Sequence, residues 1–305
     1  MSLPARVTVV EVSPRDGLQN EAVALGVEDR VLLCERLIAA GLAVVEVGAC
    51  VSPKWVPQMA HSDEVLRRLV PRPGVRLPLL VPNRTGFELA RAAGSREVCV
   101  FTAASETFSR RNANATIDES FARFSDFVPE AKRDGLRVRG YLSTAFGCPY
   151  EGRVGVVRAV DVARRLFDAG CDEVSIGDTI GVAVPSQSAE LFGRLEEVAA
   201  VETLAAHFHD TRGTALANVL AALEQGVATI DSAAGGSGGC PYAPGASGNL
   251  ATEDLLYMLH GMGIATGADL DAVAAVSGWL AGRLGHGLPS RYLQAGPPPG
   301  RGTAP

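Results

Sequence analysis

One rhythm constrains the fold of this chain more than any other feature: a short β-branched or apolar run, then a stretch with apolar residues at helical spacing, repeated along most of its length. Residues 7–12 (Val-Thr-Val-Val-Glu-Val) predict a strand, and residues 27–40 predict a helix that stops at Gly41. The same pattern predicts strands at 44–47, 77–81, 98–102, 137–144, 173–176, 204–209 and 229–232. Helices are predicted between them at 62–69, 85–93, 117–134, 156–169, 186–199 and 214–225, and two more follow at 252–261 and 270–284. Alternation of this kind makes a parallel sheet covered by helices. A doubly wound open sheet would satisfy it, but eight strands in 305 residues favour a closed (β/α)8 TIM barrel with additional C-terminal helices. Residues 1–288 are expected to form one catalytic domain, and 289–305, with Pro297-Pro298-Pro299-Gly300, a disordered tail.

A barrel of this type places its chemistry at the C-terminal ends of the strands. The reactive side chains of the sequence fall there. The first strand runs into Ser13-Pro14-Arg15-Asp16-Gly17-Leu18-Gln19-Asn20, the second carries Glu46, the sixth is followed by Asp178, and the seventh ends at His207-Phe208-His209. Two histidines at i and i+2 of a strand share one face and can grip a single metal ion. After the eighth strand comes a loop with glycines at 235, 236, 238 and 239, then Cys240, and further on Asn249. Glycine at such density permits backbone conformations closed to other residues.

Charge and cysteine usage narrow the function classes. A net charge of -6 with no run of Lys or Arg excludes a nucleic-acid footprint or a polybasic membrane patch. No stretch approaches the ~20 apolar residues of a membrane span, and residues 1–6 lack the apolar run of a secretory signal, so a cytoplasmic location is expected. The six cysteines are spread without close pairs, which suits reduced thiols; Cys34, Cys99 and Cys171 sit in apolar patterns that mark them as core.

Several segments together carry a family likeness: EVSPRDGLQNE (11–21), VSPKWVPQM (51–59), GCPYEG (147–152), GDTIGV (177–182), HFHDTRGTALAN (207–218) and GGCPYAPGASGNLATEDL (238–255). In order and spacing they resemble the 3-hydroxy-3-methylglutaryl-CoA lyases, metal-dependent barrel enzymes that share an Asp-Arg-Glu constellation. The likeness spans about residues 7–284.

The resemblance implies cleavage of an acyl-CoA by a retro-Claisen reaction, giving acetyl-CoA and acetoacetate, as in leucine breakdown or ketone-body formation. It implies Asp16, His207, His209 and Asn249 as metal ligands. That donor set suits Mg²⁺ or Mn²⁺, although Zn²⁺ is compatible with the ligand types alone. Arg15 matches the catalytic arginine, whose permanent charge suits the thioester enolate oxygen or a carboxylate. Cys240 matches the family's proton donor or base. Gln19 is a substrate contact by its place beside Arg15, and Glu46, counted among the catalytic residues, pairs with Arg15 or with an inner-shell water. Asp178 orients a ligand histidine or relays a proton, with Asp210 as its rival and helix capping as the other reading of both. Lys54 and Trp55 follow strand two, where they would meet substrate or CoA. CoA itself enters only through the resemblance, as does a homodimer.

The sequence departs from the family pattern at His61, at Arg212 and at Ala49-Cys50. The last pair borders the expected pocket, which leaves the acyl group open: a related 3-hydroxy-3-methylacyl-CoA is the first alternative. A Claisen-condensing acyltransferase of the isopropylmalate or homocitrate synthase type is the second, and a barrel without catalysis the third.

Overall fold

A computed structural model describes residues 3–239 and 248–298. In chain order its strands are β1 (Thr8–Glu11), β2 (Val44–Val45), β3 (Gly48–Ala49), β4 (Leu79–Leu80), β5 (Glu97–Ala103), β6 (Arg137–Ser143), β7 (Gly147–Cys148), β8 (Gly152–Arg153), β9 (Glu173–Asp178), β10 (Leu204–Phe208) and β11 (Thr229–Ser232). β7 and β8 form a small antiparallel hairpin. The other strands make one sheet in the order β2-β1-β11-β10-β9-β6-β5-β4-β3, with every neighbouring pair parallel.

The two ends of that sheet are pieces of a single run. β2 and β3 are separated only by Glu46 and Val47, whose amides donate to Glu11 O (2.9 Å) and Pro78 O (3.0 Å). The first half of this strand pairs with β1 and the second with β4, so the sheet closes on itself as a (β/α)8 barrel. Glu46 sits between the two pieces, and the run before it already touches both neighbours, Val44 pairing with Val10 of β1 and bridging Arg76 ahead of β4.

The helices stand where the apolar spacing places them, within a few residues. Ile117–Arg133 opens with a capping box in which Thr116 Oγ1 accepts from Glu119 N (2.9 Å) and Glu119 Oε2 accepts from Thr116 N (2.7 Å). Leu270–Leu284 starts at an Asp269 cap and stops at Gly285, whose φ of 77° is the left-handed conformation that favours glycine. Helix Glu106–Ala113 was not expected, because its sequence ETFSRRNA lacks an apolar stripe; Ser105 starts it by accepting from Phe108 N (3.2 Å). The described part of the segment after residue 289, expected to be disordered, also differs. Arg291–Ala295 is a short helix docked on the buried Asp254 carboxylate, which accepts from Ser290 Oγ (2.9 Å), Arg291 N (3.0 Å) and Tyr292 N (2.8 Å).

The apolar core lies between sheet and helices, with Leu33, Leu37, Phe87, Phe127, Leu166 and Phe192 buried there. The barrel interior is different in kind. Arg139, Tyr141, Glu173, Ser175, Asp231 and Glu46 are all buried and bond one another across it. At the outer end of the eighth strand, helix Thr252–Gly261 buries Glu253, which accepts from Gly235 N (3.0 and 3.1 Å) and from Ser277 Oγ. This fixes the start of the glycine-rich loop.

Burial, reinforced by nearby Glu11 and opposed by these donors, pushes the Glu253 carboxyl up to about 8. A carboxyl raised from about 4.5 keeps its proton in the folded state, so its contribution is complete below that value and is lost as pH rises through about 8. Urea unfolding should therefore show stability falling between these limits by up to about 1.4 kcal/mol per pH unit relative to Glu253→Gln. Parallel pH profiles for the two proteins would contradict this.

Candidate metal centre and active-site pocket

β1 leads into a wide turn, Ser13–Gly17, closed by Gly17 N donating to Val12 O at 3.2 Å. Such a π-type turn re-aims side chains that a strand or α-helix would send elsewhere. Here it brings Arg15 and Asp16 to the barrel mouth. Gly17 is required for packing: a Cβ would come within 2.4 Å of Ser237 Oγ in the loop after β11.

Asp16, His207 and His209 converge, each offering a ligand atom within 4.8 Å of the others. Asp16 Oδ2 lies 4.0 Å from His207 Nε2 and 3.9 Å from His209 Nε2, too far for hydrogen bonds. Bonds of about 2.1 Å to one small cation would span such separations. Asn249 is delivered by backbone pairing: it bridges His209, with Asp210 N donating to Gly248 O (2.7 Å) and Leu250 N to Phe208 O (3.2 Å). Its Nδ2 donates to Asp16 Oδ2 (3.0 Å) and Ser237 O (3.1 Å), while its buried Oδ1 has no partner among the described residues. An orphaned buried acceptor beside three converging ligands fits a cation.

The charge states fit as well. Burial would raise Asp16, but Arg15, His207 and His209 overcome it and hold the carboxyl at about 2. His209 is pushed down to about 4 by burial and by neighbouring His207, against the pull of Asp16, so near neutral pH its ring is uncharged and has a lone pair to offer.

Arg15 lies alongside. Its Nε donates to Glu46 Oε2 at 2.8 Å and Nη1 to Asp16 Oδ1, and its guanidinium stands 5.1 Å from the Tyr141 ring centre. Burial works against its charge, but Glu46 and Asp16 hold it well above its ordinary value. Of the two sequence readings of Glu46, the structure has the pair with Arg15. Gln19 lines the same pocket with Asn20, Val51, Val56, Phe108 and Asn112. Cys240 lies outside the described residues.

Asp178 and Asp210, the acids expected beside the ligand histidines, both accept from backbone amides. Asp178 accepts from Val182 N (3.0 Å) and Ala183 N (2.9 Å) of the following loop, and Asp210 caps helix Ala215–Glu224 through Ala215 N (3.0 Å). The carboxylate beside His207 Nδ1 is that of Asp231 on β11, whose Oδ2 is 3.3 Å away. Sequence reading passed over Asp231, Arg139 and Tyr141. Their signal is polar alternation within a buried strand: Arg137, Arg139, Tyr141 and Ser143 recur at i+2 along β6, and Thr229 and Asp231 do so on β11. Of the remaining histidines, His260 meets Thr266 Oγ1 (2.8 Å) and His286 meets Glu21 Oε2 (2.8 Å). Trp55, 81% exposed, stands in the loop between pocket residues Val51 and Val56.

A closed barrel with a carboxylate, two imidazoles and an amide gathered at its mouth, beside a buried arginine, defines a metal-assisted barrel enzyme. The chain belongs to the HMGL-like family, whose model matches residues 6–279. It is 56% identical over 285 residues to the hydroxymethylglutaryl-CoA lyase of Pseudomonas mevalonii, covering 93% of this chain and 95% of that protein. Its fold superposes on the crystal structure of hydroxymethylglutaryl-CoA lyase from Pseudomonas aeruginosa with a TM-score of 0.94 at 49% identity, covering 97% and 98% of the two chains. A structure of the Acinetobacter baumannii HMG-CoA lyase in complex with coenzyme A and 3-methylmalate gives 0.93 at 35% identity, with both chains fully covered.

If Asn249 Oδ1 is a ligand, Asn249→Ala should weaken Mn²⁺ binding by at least about tenfold, the ~1.4 kcal/mol of a modest single contact. Titration followed by electron paramagnetic resonance reads this directly, and circular dichroism checks the fold. Unchanged affinity would remove Asn249 from the ligand set.

Proposed function

We propose that this protein cleaves 3-hydroxy-3-methylglutaryl-CoA to acetyl-CoA and acetoacetate by a metal-dependent retro-Claisen reaction. The observation that carries the reading is the placement of a buried, permanently charged arginine against the Asp16, His207, His209 and Asn249 cluster, within a chain of this family. Asp16, His207, His209 and Asn249 would hold Mg²⁺ or Mn²⁺, which supplies Lewis acidity toward the substrate's 3-hydroxyl.

In the bond-breaking step the 3-hydroxyl gives up its proton to a base, a carbonyl forms at C3, and the C2–C3 bond breaks. Its electron pair passes into the thioester as an enolate. Among the described residues Arg15 commits Nε to Glu46 and Nη1 to Asp16, which leaves Nη2 for the enolate oxygen. Because Glu46 fixes the fork before substrate arrives, little reorganisation accompanies the developing charge. Tyr141 donates to Glu46 Oε2 at 3.1 Å and keeps that carboxylate turned toward Arg15. The enolate carbon must then take a proton to become the acetyl methyl group, and Cys240 is assigned this transfer on the family resemblance. Gln19, on the pocket wall, is assigned to the acyl chain.

The testing experiment incubates the purified protein with 3-hydroxy-3-methylglutaryl-CoA and Mg²⁺ or Mn²⁺ and quantifies both products. Formation of acetyl-CoA and acetoacetate in equal amounts, abolished by chelator and restored by metal, is expected. Arg15→Met should lower kcat by about 10²–10³-fold, the usual loss for one oxyanion-stabilising group, and Cys240→Ser should also reduce turnover sharply. Absence of cleavage by folded, metal-loaded protein would reject this substrate, and near-normal turnover by Arg15→Met would reject the role of the arginine.

A further inference from the structure

Beneath the ligand cluster lies a buried carboxylate that the reaction itself does not use. Asp231 is 1% exposed and points from β11 into the barrel. Its Oδ1 accepts from Arg139 Nη2 at 2.6 Å. Its Oδ2 accepts from Ser175 Oγ (2.8 Å) and Arg139 Nη1 (3.3 Å) and lies 3.3 Å from His207 Nδ1. The β10–β11 register sets His207 directly opposite Asp231, so the pairing is fixed by the ladder and not by a loop.

We propose that Asp231 is a positioning residue that fixes the tautomer and ring plane of His207, turning Nε2 as a bare acceptor toward Asp16. An ionised carboxylate only accepts hydrogen bonds, so Nδ1 of a neutral His207 ring must carry the proton, which leaves the lone pair on Nε2. Nε2 is the nitrogen that faces Asp16 Oδ2 at 4.0 Å. Metal-binding imidazoles commonly take such a partner on their second nitrogen. No other described carboxylate takes this place: Asp178 is engaged by loop amides, and Glu173 bonds Arg137 (2.9 Å) and Arg139 (2.6 Å).

Asp231 is itself held from two other strands. Ser175 reaches it from β9 and Arg139 from β6, and Arg139 is fully buried and anchored on its other side by Glu173 and by Tyr141 Oη (2.7 Å). Tyr141 in turn donates to the carboxylate that clamps Arg15. One chain of hydrogen bonds therefore registers the histidine against the arginine.

This inference rests on the reading of His207 as a metal ligand, and the test separates the two. In the metal-free full-length protein, at a pH where the ring is neutral, ¹H–¹⁵N correlation of imidazole nitrogens should show His207 protonated on Nδ1 and bare on Nε2. Its signal is identified by its loss in His207→Gln. The opposite tautomer in the wild type would overturn the proposal whether or not any variant folds. Mn²⁺ titration followed by electron paramagnetic resonance should then show about 10- to 100-fold weaker binding for Asp231→Asn. Glu173→Gln removes a charge from the same arginine without touching the histidine, and its affinity should fall by less than that of Asp231→Asn. Equal losses in both variants would mean that the effect travels through Arg139 packing, and wild-type affinity in Asp231→Asn would mean there is none; either result sinks the proposal. Failure of the wild type to bind Mn²⁺, or undiminished binding by His207→Gln, would instead remove the metal-ligand reading and the proposal with it.

Discussion

The interior of this barrel depends on the guanidinium of Arg139. It has no solvent exposure and spends its nitrogens on Glu173, Tyr141 and Asp231, at 2.6 to 2.7 Å in their shortest contacts. Burying a guanidinium or a carboxylate costs several kcal/mol per ion, so such a network is poor evidence for stability. Apolar side chains of similar volume would fill the same space at less cost. What the network supplies is orientation. Each member has its donors or acceptors committed, and removing one partner leaves another charge buried and unpaired, which costs about 3–5 kcal/mol. That penalty is what discourages alternative rotamers beneath the candidate metal centre.

Barrel closure contributes to the same end. The second strand is split so that Val44–Val45 pairs with β1 and Gly48–Ala49 pairs with β4, and Glu46 occupies the gap. Its amide still belongs to the ladder through Glu11 O, while its side chain is free to turn inward to Arg15 and Tyr141. The break places an acid beneath the arginine without opening the barrel.

Much of this was legible in the sequence because it follows from local periodicity. The strands and most helices obey alternation or helical spacing, and the strand-end position of Arg15, Asp16, His207 and His209 follows from it. Helix Glu106–Ala113 was not legible, since a polar octet carries no stripe, nor was the docking of Arg291–Ala295, which depends on Asp254 far back in the chain. Asn249 is forty residues from the histidines; only the family likeness pointed to it, and a backbone bridge to His209 is what brings it in. Asp178 and Asp210 follow strand ends, where an acid beside the histidines is expected, but both are committed to backbone amides. Asp231 lies within β11, one residue before its end, and its meaning is visible only once β11 is laid beside β10.

The charge balance of the interior bears on what the mouth of the barrel can accept. Arg15 and Arg139 face four carboxylates, those of Asp16, Glu46, Asp231 and Glu173, an excess of two negative charges. Arg137 reaches Glu173 from the barrel floor and reduces that excess to one, and the Arg76–Glu97 pair beside it is neutral. His209 adds nothing near neutral pH, because burial keeps its ring uncharged. A site left with one uncompensated negative charge repels an anionic acyl group. A divalent cation among Asp16, the histidines and Asn249 would reverse the sign of that balance. Held there, it would do more than polarise a hydroxyl: it would offset the carboxylates that position Arg15 and His207, which otherwise oppose the negative charge that the reaction must develop.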